Sequence, residues 1–256
     1  LKAIQNQTHN NTEIIVVDSN SNDQTVNIAE ALGAEVLQME GTGIPNAKRN
    51  YGAKKSHGEY IFHLDSDMVA EPNVVEHCLK RFRDNDVDAL DIREKSIALT
   101  FWAECIASNR GSFFDNNVIL PRFFRRDVFE NIATDDDLLY GDDYSHYIRL
   151  KEAGYRIDIV DAYVGHYEPT SLMSRVKRNY ETYKSFPNFA RRYGAANSSF
   201  KTTSFIKSTL KKWVVSGQFI KDPRHFAGLL FLEAMVFLAE MAGIFAGFIG
   251  IKFKSH

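Results

Sequence analysis

The sequence predicts an α/β fold in which a mainly parallel, mixed sheet is flanked by helices and followed by a C-terminal helical region. Three observations carry this. Glu13 to Asp18, EIIVVD, is a β-branched run that ends in an acid and meets the polar turn SNSND. The stretch GEYIFHLDSDMVA holds a second apolar run, Tyr60 to Leu64, closed by Asp65 and Asp67. Between and after these runs come stretches with helical spacing, TVNIAEALGA and YSHYIRLKEAG, and a further strand-like segment, RIDIVDAYV. Short apolar runs bounded by turn residues read as buried strands, and their alternation with helices reads as an α/β sheet.

Each element places chemistry. The turn after Asp18 leads into a helix with Asp23 as its expected N-cap. DSNSND is not a calcium loop of the EF-hand kind, because its sixth residue is Asp23 rather than Gly and its twelfth is Ala29 rather than Glu. Asp65 and Asp67 stand at the carboxyl end of a strand, where open α/β sheets bind ligands. Two carboxylates so spaced suit a hard divalent ion, Mn²⁺ or Mg²⁺, shared with substrate phosphates. Gly141-Asp142-Asp143 starts a helix, and acids at a helix amino terminus are stabilised by the dipole, so plain capping stands beside a catalytic role. His166 follows the RIDIVDAYV strand as a third candidate metal ligand or diphosphate contact, against the commoner structural role of a lone His. Arg175, Lys177, Arg178, Tyr180 and Tyr183 share one helix, a mixture that suits a diphosphate and a lipid interface or a solvated cationic face.

Taken in order, four blocks resemble a family 2 glycosyltransferase of the GT-A fold: VVDSNSNDQT; GTGIPNAKRNYGAKKSHGEYIFHLDSDM; LPRFFRRDVFENI; and LLYGDDYSHYIRLKEAGYRI. They span residues 13 to about 168. The resemblance implies an inverting, metal-dependent transfer of a sugar from a nucleotide donor linked to UDP, GDP or TDP. Asp143 is implied as general base, Asp67 as the direct metal ligand and Asp65 as a metal ligand facing the nucleotide. Asp18 and Ser19 are implied at the base or ribose. Arg49 is implied at the nucleotide or as a brace for the acidic turn, and Arg122 at the acceptor pocket, with Phe123 and Phe124 read as core; Arg175, beyond the matched blocks, is expected at the diphosphate from the residue mixture on its helix. Ser19 stands where many relatives carry a second Asp, and Asp142 where they carry Glu. The family opens with a strand that has no counterpart here, since the chain starts at Leu1 inside what resembles the first helix. An N-terminal truncation is expected.

Charge divides the chain. The net charge is −2, yet residues 170–224 carry +10 and residues 1–169 carry −12. An acidic catalytic half followed by a basic stretch points to an anionic surface. His225 to Ile251 is apolar apart from His225, Glu233 and Glu240, and long enough to span a bilayer, where about 20 apolar residues suffice. Glu233 and Glu240 lie seven apart on one helical face, which favours a helix lying in the membrane surface over a clean span; a core or dimer helix is the alternative. Three regions are expected: a GT-A-like catalytic domain at 1–168, a basic acceptor or membrane-surface region at 169–224 and a membrane-associating helix at 225–256. The acceptor is expected to be lipid-linked or a glycan, at the cytoplasmic face of a membrane. Cys78 and Cys105 stand in unrelated contexts, as reduced thiols do. Two other readings compete: a non-catalytic relative, and a haloacid-dehalogenase-type phosphatase with Asp65 as nucleophile, against which stands the strand-helix unit that precedes the D-x-D. Nucleic-acid binding lacks support, because the basic stretch adjoins a hydrophobic helix.

Overall fold

The computed structural model describes residues 1–41, 43–114, 120–194 and 218–250. The chain forms two compact units. The first is built from Leu1–Lys95, Ile119–Leu138 and Asp142–His166, the second from Ser96–Val118, Leu139–Gly141 and Tyr167–His256. The boundary expected at residue 168 is therefore crossed by two earlier excursions of the chain.

In the first unit, β1 (Ile15–Asp18) and β2 (Glu35–Gln38) form a parallel pair connected through α2 (Thr25–Ala31), with α1 (Lys2–Gln5) ahead of them. The N-cap position of α2 is Gln24 rather than Asp23, whose carboxylate instead accepts from the Thr25 amide at 2.9 Å. The second sheet has the order β3 (Tyr60–Phe62), β6 (Pro121–Arg125), β5 (Ala89–Ile97), β7 (Ile157–Tyr167), β4 (Met68–Ala70). Its registered pairings β3–β6, β5–β6 and β4–β7 are antiparallel, so parallel pairing is confined to β1–β2 among the registered pairs. The architecture is α/β with a mixed sheet, less parallel than the sequence suggested.

Period-two alternation sorts the strand residues to two faces. Leu90, Ile92, Phe123, Val160, Ala162 and Val164 pack against Val74, Val75, Cys78 and Phe82 of α4 (Val74–Asp84). On the other face Ile61, Ala89 and Phe124 meet Ala53 of α3 (Pro45–Lys55), Val128 and Phe129 of α6 (Arg126–Asn131), and Leu150 of α7 (Asp142–Glu152). Phe123 and Phe124 are core, as expected. This sandwich fixes the strand ends from which the acids project.

The second unit is helical: α5 (Phe101–Phe114), α8 (Leu172–Tyr183), α9 (Phe186–Tyr193), α10 (Gln218–Lys221) and α11 (Pro223–Ile249). Cys105 and Ile106 of α5 pack with Leu232 and Val236 of α11. Near the end of α8 the backbones come close, because a Cβ on Gly243 would lie 2.5 Å from the Tyr180 carbonyl oxygen. Glu240 faces α8 too, its Oε1 accepting from Asn179 Nδ2 at 2.8 Å with only 5% of the residue exposed. The opposite face of α11 is apolar and exposed, with Leu230, Phe231, Phe237, Leu238, Phe245, Phe248 and Ile249 outermost.

Candidate active site

The D-x-D is carried by a turn. β3 stops at Phe62, although the His63 amide still donates to the Arg122 carbonyl at 2.8 Å; the Met68 amide then closes on the Asp65 carbonyl at 3.0 Å. Antiparallel pairing of β4 with β7 sets Met68 opposite His166. As a result His166 Nε2 lies 3.4 Å from Asp67 Oδ2, the imidazole buried and the carboxylate partly open. No group of three or more Asp, Glu, His or Cys side chains placed to hold a metal ion forms among the described residues. The pair nevertheless fits Mn²⁺ or Mg²⁺, which take one or two protein oxygens and fill their remaining positions from water and substrate phosphate.

Asp65 turns the other way. α3 aligns Asn46, Arg49, Asn50 and Ala53 on its inner side by i, i+3, i+4, i+7 spacing. Arg49 Nη2 donates to Asp65 Oδ1 at 2.8 Å, while Nη1 donates to Asp143 Oδ1 at 2.5 Å and to Asn46 Oδ1 at 2.9 Å, and lies 3.6 Å from Asp142 Oδ2. Burial opposes the guanidinium charge, but the carboxylates of Asp143, Asp65 and Asp142 outweigh it and hold Arg49 firmly protonated. Burial likewise pushes the Asp65 carboxyl up, and Arg49 more than reverses this, leaving it below the usual range. At the start of α7, burial and then the neighbouring Asp143 charge push Asp142 up to about 7. One cation thus gathers three acids, one from the D-x-D turn and two from the first turn of α7.

The surrounding polar groups are tied down. Asn46, fully buried, donates to the Asp135 carbonyl at 3.2 Å, and Asn50 donates to the Thr134 carbonyl at 2.8 Å. Arg149 donates to the Ala133 carbonyl at 2.6 Å, so the 133–135 loop is clamped by α3 and α7 together. His146, 2% exposed, sits against Phe124 and Phe129 with Nε2 2.7 Å from the Ile132 carbonyl oxygen; burial lowers its pKa to about 4.

The remaining candidates are placed as follows. Asp18 ends β1 with 5% exposure, accepting from Ser21 Oγ and from the Ser21 amide, and these two bonds hold its carboxyl low. Ser19 follows it, half-buried. Arg122 is turned inward: its side chain is 6% exposed, ion-paired with Glu94 and 3.2 Å from Met68 Sδ. The shift of register between Leu90 and Asp91 puts Arg122 there, since Leu90 faces Phe123 while Asp91 faces Pro121. Arg175 lies on α8 of the second unit, where its charge acts on Glu233 and Glu240 of α11. Asn46, Glu94 and Asp91 went unnoticed in the sequence; only the i, i+3 spacing of Asn46 and Arg49 offered a signal.

A profile described as Glycosyl transferase family 2 matches residues 1–132. Over 92 residues the chain is 33% identical to the glycosyltransferase GlyG of Streptococcus pneumoniae serotype 4, covering 34% of this chain and 31% of that protein. It is 28% identical over 125 residues to the chondroitin synthase of Pasteurella multocida, covering 47% of this chain and 12% of that one. The matched stretches thus span under a third of either relative. Among solved structures, the mannosyltransferase PcManGT from Pyrobaculum calidifontis, in complex with GDP-Man and Mn²⁺, superposes with a TM-score of 0.60 at 15% identity, over 98% of this chain and 82% of that one. S. aureus TarS 1-349 in complex with UDP-GlcNAc gives 0.53 at 15% identity, over 99% and 88%. At such identity the likeness is one of fold, that of the GT-A nucleotide-sugar transferases.

Proposed function

We propose, since this chain belongs to glycosyl transferase family 2, that it moves a sugar from a nucleoside-diphosphate donor to a lipid-linked or glycan acceptor, with inversion at the anomeric carbon. The observation that carries this is the Arg49 cluster, in which Asp143 in the first turn of α7 and Asp65 of the D-x-D turn are held by a single guanidinium. A carboxylate on the acceptor side and acids on the donor side, at fixed separation, are what direct displacement at a sugar carbon needs.

Asp143 takes the proton of the acceptor hydroxyl as the oxygen attacks the face opposite the leaving group; an acceptor that is already a phosphate anion needs only to be oriented. Asp65 faces the nucleotide, and Asp18 with Ser19 faces the base or ribose. Asp67 and His166 would hold Mn²⁺ or Mg²⁺, which when bound supplies positive charge against the leaving nucleoside diphosphate. Arg122, ion-paired internally with Glu94, holds β6 to β5 and so supports the turn that carries the acids. Among the described residues β1 and β3 each pair on one side only, and α3 packs on both through Gly52 against Val17 and Ala53 with Ile61.

The protein works, on this reading, at the cytoplasmic face of a membrane. α11 is long and apolar enough to cross one by length and composition. The side of α11 that carries Glu240 is covered by α8 and its outer side is apolar from Leu230 to Ile249, an arrangement that suits a helix lying in the surface rather than spanning it. A donor panel tests the assignment: release of UDP, GDP or TDP from their sugar conjugates, with Mn²⁺ and a lipid-linked acceptor. No release from any donor would overturn it, and phosphate release from simple monoesters would favour a phosphatase.

A further inference from the structure

Arg49 occupies an unusual place in the acidic cluster, because its contacts divide between its two terminal nitrogens. Nη1 serves Asp143 and Asn46, and Nη2 serves Asp65. The fork is itself oriented: Asn46, which accepts from Nη1, is fully buried and anchored to the Asp135 carbonyl. Only 11% of the Arg49 side chain is exposed, and its Nε is buried without a hydrogen-bond partner. All of its polar capacity toward neighbours therefore runs through the two ends of the fork. A planar guanidinium holds two carboxylates at a set spacing, which a single ammonium cannot do.

We infer that Arg49 is a positioning residue that fixes the Asp143 carboxylate relative to Asp65, so that the proton acceptor and the donor site form one mechanical unit. The inference rests on the reading of Asp143 as the base and Asp65 as donor-facing. Arg49 touches neither sugar nor acceptor in this role. It acts on turnover through Asp143 and on donor affinity through Asp65, and the two effects are separable because they leave by different nitrogens. Without the fork, Asp65, Asp142 and Asp143 repel one another in a half-buried patch, and the Asp143 oxygen loses its fixed distance from the donor. Misplacement of a reacting group by about 1 Å costs on the order of 10²-fold in rate.

The experiment is a pair of double-mutant cycles in the full chain, with turnover and donor-nucleotide affinity by calorimetry as separate readouts and thermal melting as the check of folding. Arg49→Lys keeps the charge and loses the fork. It should lower kcat roughly 10²-fold and weaken nucleotide binding less. In an Asp143→Asn background Arg49→Lys should cost no further turnover, and in an Asp65→Asn background no further affinity. Losses that simply multiply in both backgrounds would overturn the inference while leaving the glycosyltransferase reading intact; a wild-type chain that turns over no donor would remove both. A second arm uses Arg49→Ala with added methylguanidinium, which should restore part of the turnover where methylammonium at equal concentration does not. Equal recovery by the two cations, or by neither, counts against the fork.

Discussion

His166 Nε2 and Asp67 Oδ2 lie 3.4 Å apart, brought together from residues 99 positions distant by the antiparallel β4–β7 pairing. The strand register sets this distance, and a register slip of one residue would turn His166 to the other face of the sheet. On the proposed reading, a strand-held imidazole beside a turn-held carboxylate would give a divalent ion one rigid and one adjustable ligand.

Asp67→Ala and His166→Ala should each abolish most of the Mn²⁺-dependent gain in nucleotide affinity, with thermal melting of Asp67→Ala nearly unchanged because its carboxylate is 38% exposed. Calorimetric titration of nucleotide with and without Mn²⁺ checks this. An affinity gain of the same size in the Asp67 variant would take that carboxylate out of the metal site.

Asp143→Asn should reduce turnover by about 10²-fold or more, since a positioned general base is worth that much, and donor affinity should change little. The substitution keeps the shape and removes the charge that Arg49 Nη1 meets at 2.5 Å. Steady-state kinetics separates the two effects, and a variant that loses donor affinity at full turnover would assign Asp143 to the nucleotide site instead.

Stability should fall as pH drops from 6.5 toward 4. Burial lowers the His146 pKa to about 4. In that window the unfolded chain binds a proton on this imidazole and the native chain does not, so unfolding takes up a proton and becomes easier. The shift corresponds to about 3 kcal/mol at its limit. Urea unfolding at pH 7 and pH 5 measures the slope, and His146→Gln should flatten it; an unchanged slope would show that other groups carry the acid sensitivity.

Much of this site was legible in the sequence because strands announce their acids. Asp18, Asp65 and Asp67 follow apolar runs, Asp143 opens a helix with regular spacing, and His166 closes a strand whose inward residues alternate. The Arg49 network was less visible for a physical reason: the inner side of α3 is Asn46, Arg49 and Asn50, polar residues buried by pairing with acids and loop carbonyls, so the helix shows no apolar stripe. Arg122, expected at the acceptor pocket, lies turned inward to Glu94 beside a bulge that no periodicity reveals. The place of Phe101–Phe114 beside the terminal helix depends on contacts between residues more than a hundred positions apart, such as Cys105 with Leu232, and local pattern does not report these. The two acids of α11 were read correctly as one face. What covers that face was hidden, because Asn179 of α8 looks like a solvent residue until it meets Glu240.

The last prediction concerns the outer side of α11. Leu238, Phe245 and Phe248 are 60%, 67% and 69% exposed, so replacing all three with Ser should leave the melting temperature of the chain nearly unchanged. The same change should weaken co-sedimentation with anionic vesicles by roughly tenfold or more, since each side chain withdrawn from lipid forfeits about 1.5–3 kcal/mol when full burial is lost. Lys177 and Arg178, exposed on α8 within the +10 stretch, supply the complementary electrostatic part. Vesicle binding should therefore also fall as salt rises and be weak on neutral lipid. A triple variant that binds vesicles like the wild type, or that changes from dimer to monomer instead, would show that the apolar side of α11 meets protein rather than lipid.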